Sequence, residues 1–100
     1  MGALQNMQAL LAGFFAMVAD DARIKPVHIS LYLVMLNEWQ LKAFANPVEI
    51  RRDDMMQAAR IKSRHTYNTT LNELQAYGYI RYLPSADPRV PSEVWFEQFL

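Results

Sequence analysis

The chain has no cysteine, which excludes a disulfide framework and a thiolate metal site. That absence fits a reducing compartment, and a cytoplasmic location is the expectation. Histidine is nearly absent too. His28 and His65 are the only two, too few for an imidazole-based metal centre without cysteine beside them. Glycine is scarce, and the three present form no phosphate-cradling loop. No charge of either sign occurs before Asp20. A secretory leader needs a basic start, which is missing. A membrane span needs about 20 apolar residues, and Gln5, Asn6 and Gln8 interrupt this run. The overall charge is zero with a pI near 6.7, which argues against a general binder of polyanions. No Ser/His/Asp set or carboxylate pair defends a catalytic reading. Neither an enzyme nor a cofactor nor a metal is expected.

What is present is a globular composition, 52% hydrophobic and 20% charged over 100 residues. That is enough chain for one domain with its own core. Charge is uneven along it. Residues 51–65 hold Arg51, Arg52, Arg60, Lys62 and Arg64 against Asp53 and Asp54, while the segments on either side are slightly acidic.

That positive stretch leads into the part of the chain that organises the rest, residues 60–83. Ser63 is a good helix cap, because its hydroxyl can accept from a free amide of the first turn. Tyr67, Leu71 and Leu74 then form one apolar stripe at helical spacing. Gly78 stands where a helix commonly ends in a left-handed residue. Tyr79 to Leu83 reads as a strand. The face opposite the stripe carries His65, Thr69 and Asn72, flanked by Arg64 and Asn68. Every one of these can hydrogen-bond and none is acidic, which suits the major groove of DNA.

The remaining elements follow in order. Leu4, Met7, Leu11, Phe14 and Val18 make a helical stripe in residues 3–19, widened by Leu10, Phe15 and Met17. It is wider than a small domain needs to cover, which favours a homodimer contact; packing within the chain is the equal alternative. Residues 1–22 are therefore set apart from 23–100. Pro26 opens a second helix that runs to Phe44 and is stopped by Asn46-Pro47. Its apolar residues fall on all sides, with Ile29, Leu33, Leu36 and Trp39 on one, so burial nearly all round is expected. His28 is expected to be a surface or partly packed histidine. Val48-Glu49-Ile50 alternates as one short strand. Arg51 to Arg60 is a short helix with Met55, Met56 and Ala59 inward. Asp53 and Asp54 fall in its first turn, where the helix dipole favours carboxylates. Asp20-Asp21 is likewise no acid/base dyad. Glu73 is expected to be solvated and Asp87 to be a turn residue. Pro84 to Pro91 is a proline-rich loop. Ser92 to Phe99 resumes as a strand with Val94 and Phe96 on one face, so strand, loop and strand make a hairpin.

Two helices joined by a short turn, then a hairpin, resemble the bacterial winged helix-turn-helix domain. The residues that carry the resemblance are Ser63, Thr66, Tyr67, Leu71, Leu74, Gly78, Tyr79 and Ile80. They are similar to the second helix and first wing strand of gluconate-repressor-type regulators. They also resemble the N-terminal domains of primosomal replication-initiation proteins of Gram-positive bacteria and phages. The run Tyr79-Ile80-Arg81-Tyr82-Leu83-Pro84-Ser85, with Asp87-Pro88 and the upstream Trp39, looks closer to small winged-helix proteins of Bacteroides-type conjugative transposons. The resemblance spans roughly residues 26–99. It implies a mainly α fold with a small β-hairpin, here preceded by an extra N-terminal helix, and double-stranded DNA binding, often as a dimer. Two positions depart from the pattern. Arg51 stands where a Ser or Thr cap is usual, so the first helix of the motif is expected to begin at Asp53. Arg60 stands near a turn position often held by glycine, so that turn is expected to differ.

On this reading the chain is a transcriptional regulator, or a replication or excision accessory factor of a mobile element. Arg64, His65, Asn68, Thr69 and Asn72 are the expected base-reading residues. Arg51, Arg52, Lys62, Ser63 and Thr66 are the expected backbone contacts. Arg81, Ser85 and Arg89 would act from the wing. The rival reading is a protein–protein assembly module on the same scaffold, favoured by the neutral charge and the apolar N-terminal helix.

Overall fold

The structure is a computed structural model. It describes residues 3–87 and 89–96, with side chains described from residue 7 onward. The described chain runs α1 (Ala3–Ala19), α2 (Pro26–Leu41), β1 (Val48–Ile50), α3 (Arg52–Ala59), α4 (Arg64–Ala76), β2 (Arg81–Leu83) and β3 (Ser92–Trp95). It is thus mainly helical with a small antiparallel sheet of three strands, in the order β1-β3-β2. The expected pairing of β2 with β3 is present, with Tyr82 opposite Val94. β3 also takes β1 on its other side, so Val48 faces Val94 as well. Val94 and Phe96 share the inward side and are fully buried, as their spacing predicts.

α2 is the central beam and is covered on nearly every side, as expected, with Pro26, Asn37 and Leu41 its exposed residues. His28, Leu31, Tyr32, Met35, Leu36 and Trp39 are buried, while Ile29, Leu33 and Val34 are only partly covered. A helix apolar all round gives no single stripe to read, and the aromatic partners decide. Phe14 of α1 stacks on Tyr32 at 3.9 Å, Phe96 meets Tyr32 edge-on at 5.5 Å, and Phe96 stacks on Trp39 at 4.8 Å. Such pairs add roughly 0.5–1.5 kcal/mol each beyond the area they bury. α1 is therefore packed into the same core through Leu10 and Phe14, and that core is continuous across the turn at residues 20–25.

α2 also ends earlier than expected, at Leu41. Ala43 and Phe44 take left-handed backbone (φ 56° and 61°), which returns the Phe44 ring against Trp39 at 5.2 Å. The turn, not Asn46-Pro47, stops the helix. Asn46 acts elsewhere, as its Oδ1 accepts from the Phe96 amide at 3.1 Å and ties the loop to the end of β3.

The two ends of α3 correct the two departures. α3 starts at Arg52 rather than Asp53, with Arg51 extended before it and no side-chain cap. Asp53 and Asp54 do lie in its first turn. At its other end Arg60 adopts the left-handed conformation itself, with φ 62°. The Arg60 amide donates to Gln57 O and the Ile61 amide to Met56 O, which closes the helix as a glycine would. α4 is closed the same way. The Gly78 amide donates to Gln75 O and the Tyr79 amide to Leu74 O, with Gly78 at φ 89°. At its start the Thr66 amide donates to Ser63 Oγ at 3.2 Å. Tyr67, Thr70, Leu71 and Leu74 are its buried face.

Candidate nucleic-acid interface

α4 is held so that one face sits in the core and the other looks outward. Arg64, His65, Thr66, Asn68, Thr69, Asn72, Gln75 and Ala76 are all exposed. Asn68 and Asn72 are one helical turn apart, so their amides are neighbours on the surface. Each offers a donor and an acceptor, the pair that matches the adenine edge. The one acid of the helix, Glu73, is turned away from this face. Its Oε1 meets His28 Nε2 at 3.0 Å and its Oε2 accepts from Tyr77 Oη. His28 is 1% exposed, not a surface residue. The Lys25 amide donates to His28 Nδ1 at 2.9 Å, which leaves Nε2 to carry the proton toward Glu73. The His28 bond, helped by Tyr77, holds the Glu73 carboxyl below its ordinary range. Glu73 is thus a bonded residue at the back of α4, with its side chain still 37% exposed, and the outward face stays free of negative charge.

The same side of the molecule carries a second polar tie. Asp21 accepts from both the amide and the guanidinium of Arg23 and from Tyr79 Oη at 3.0 Å. The Arg23 fork, more than the Tyr79 bond, holds the Asp21 carboxyl far below the usual range. Burial first, and Asp21 second, push the Tyr79 hydroxyl up to about 12. Burial likewise raises Tyr32 and Tyr67. The stability of the chain should follow these shifts. The Asp21 and Glu73 contributions are present above the ordinary carboxylate range and lost as pH falls through their depressed folded values. The tyrosine contributions are present below pH 10 and lost as pH rises through the raised folded values, near 12 for Tyr79. Denaturant midpoints across pH should fall at both ends, and Asp21→Asn should flatten the acid limb; an unchanged acid limb in that variant removes Asp21 from the account.

Beside α4 the hairpin forms the wall of a groove. Arg52, Tyr67, Asn68, Asn72, Tyr82, Pro84, Ser85 and Ser92 line an open volume of about 390 Å³. Four expected contact residues from three elements therefore converge: Arg52, Asn68, Asn72 and Ser85. The groove wall is pinned to the helix, because the Tyr82 amide donates to Gln75 Oε1 at 2.6 Å. A second open hollow shares Arg52, Ser85 and Ser92 with it and is lined also by Arg51, Asp53, Asp54 and Asp87. Ser85 is fixed within the loop, donating to Asp87 O while its amide donates to Ser92 Oγ.

The other expected residues are placed differently. Arg51, Lys62 and Arg64 are exposed and bond to no described side chain. Arg52 approaches Asp53 at 3.3 Å. Ser63 is occupied as the cap, and Thr66 accepts from Thr70 Oγ1 through its carbonyl. His65 and Thr69 lie on the outward face outside the groove lining. Arg89 forks onto Asp87 at 3.1 Å and so is already paired, and that fork holds the Asp87 carboxyl low. Arg81 lies over the Trp95 ring at 4.5 Å. Of the expected dimer stripe, Phe14 is turned fully into the chain's own core. Met7, Leu11 and Val18 are half-buried against that core, and the Leu4 side chain lies outside the described residues. The outward face of α1 is instead Gln8, Ala9, Ala12, Phe15, Ala16 and Ala19.

Sequence reasoning missed Tyr82 in the groove lining and Gln75 as the residue that pins the groove wall. The signal for Tyr82 was its alternation with Arg81 and Leu83. Gln75 carried none, since its partner is a backbone amide on another element. Among the described residues no helix is long and apolar enough to cross a membrane. No group of His, Cys, Asp or Glu among them is placed to hold a metal ion. No protein-family model, curated protein or solved structure matches the chain.

Proposed function

We propose that the chain is a non-enzymatic double-stranded DNA-binding protein of the winged helix-turn-helix kind. The observation that carries this reading is the groove between α4 and the hairpin, where Arg52, Asn68, Asn72 and Ser85 converge beside an acid-free helix face. The element order from α2 to β3 supports it, since a helix, a short strand, two further helices and a hairpin are what the resemblance implies. α4 lies in the major groove and the hairpin loop follows the adjacent backbone. Arg51, Arg52 and Lys62 neutralise phosphates, while Arg64, Asn68 and Asn72 read base edges. The biological role is that of a transcriptional regulator, or of a replication or excision factor of a mobile element, acting in the cytoplasm.

Salt titration of duplex binding is the test. Three cationic backbone contacts predict that log affinity falls linearly with log salt, with a slope of about −3. A flat dependence, or no duplex binding at about 50 mM salt, overturns the reading.

One observation favours a second reading, assembly with another copy. α1 has no charged residue, and Phe15, 47% exposed, stands among exposed alanines on its outer face. Two such faces meet without like-charge repulsion. Sedimentation should show a dimer that Phe15→Glu dissociates; a wild-type monomer at tens of micromolar ends this reading.

A further inference from the structure

Arg60 is the residue whose backbone and side chain disagree. It closes α3 in the left-handed conformation at φ 62°, where a side chain is disfavoured and glycine is not. The local chain gains nothing visible from the arginine. The closing bonds, Arg60 amide to Gln57 O and Ile61 amide to Met56 O, are backbone bonds that any residue provides. Ile61 supplies the buried anchor of the turn. The Arg60 guanidinium is exposed and makes no hydrogen bond, ion pair or ring contact with a described residue. Asp54 shares a shallow hollow with it, yet lies beyond ion-pair distance. The other left-handed residues are different. Phe44 recovers its strain by packing on Trp39, and Ala43 is part of that same turn. Strain at a cation with no partner among the described residues is explained by a partner outside the chain.

We infer that Arg60 is a phosphate-binding residue, kept in a strained backbone position because its charge contacts the sugar-phosphate chain of duplex DNA. The inference rests on the DNA-binding reading above. Lys62 and Arg64 are exposed on the same short segment, so Arg60 extends the cationic row by one contact. The ligand is the phosphodiester oxygen, so the contact carries no base preference.

Stability and binding should therefore move in opposite directions when Arg60 is replaced. Arg60→Gly and Arg60→Asn both suit left-handed backbone and both remove the charge. Each should raise the melting temperature by roughly 4–8 °C. Each should weaken duplex binding about three- to tenfold for every sequence tested and make the salt slope shallower by about one. Arg60→Lys should keep the melting temperature of the wild-type chain and restore most of the affinity and the slope. If the glycine and asparagine variants bind DNA with unchanged affinity and slope, the assignment is wrong while the DNA reading stands. A melting temperature that falls in both variants removes the strain on which the assignment depends. If the wild-type chain binds no duplex at low salt, the DNA reading fails first and takes the assignment with it.

Discussion

Phe14→Ala should destabilise the whole chain by about 3–5 kcal/mol, and Phe15→Ala by less than about 1 kcal/mol. The two residues are neighbours on one helix and look alike in sequence. The structure separates them. Phe14 is fully buried, stacked on Tyr32 at 3.9 Å and edge-on to Tyr79 at 5.8 Å. Removing its ring leaves a cavity between α1, α2 and the segment before β2, and stiff aromatic neighbours collapse poorly into such a space. Phe15 is about half exposed, so its loss removes little buried area. A chain of this size has roughly 5–15 kcal/mol to lose, so the first variant sits near its limit while the second does not. Denaturant titration checks both. It also tests whether α1 belongs to one cooperative unit with the rest. A single transition that shifts as a whole is expected for Phe14→Ala, and a cost below about 1 kcal/mol would detach α1 from that unit.

This contrast shows where the sequence was readable. α4 was legible because its signals are local. Ser63 caps its own helix three residues away, the stripe of Tyr67, Leu71 and Leu74 repeats within two turns, and Gly78 sits at the stop it is needed for. The strand faces were legible for the same reason, since Val94 and Phe96 alternate. α2 was legible as a helix covered nearly all round, but which of its residues go deepest was not, because partners far along the chain decide it. The depth of His28 was not legible for the same cause: its bonding partner is Glu73, 45 residues later. Arg60 defeated a rule of thumb. Glycine is favoured at a left-handed helix end but not required, and the turn formed with arginine in that place. In the site, the outward row from Arg64 to Asn72 follows from helical period alone. The groove does not, because its walls come from α3, α4 and the hairpin together, and no local pattern encodes that convergence.

Arg64→Ala and Lys62→Ala should both weaken duplex binding, and the pattern across sequences should distinguish them. Both residues are exposed cations at the start of α4, and neither is committed to a partner among the described residues. Lys62 precedes the Ser63 cap, so its ammonium lies at the end of the helix, level with a phosphate row when the helix enters a groove. An ammonium on a flexible stem acts there as a point charge and reads no base. Arg64 is the first residue of the helix proper, on the side that continues through Asn68 and Asn72 at intervals of four. A guanidinium at that place presents a planar fork to guanine O6 and N7. Its removal should cost about 1–3 kcal/mol, roughly five- to 150-fold in affinity, on the preferred duplex only. At one base pair the preference should disappear, so substituted duplexes bind the variant as well as the preferred one does. Lys62→Ala should lower affinity for all duplexes by one common factor and reduce the salt slope by about one. Duplexes selected from a random pool, then varied one pair at a time, give both readouts. Equal losses on every sequence for both variants would reject base reading by Arg64 and leave α4 with backbone contacts alone.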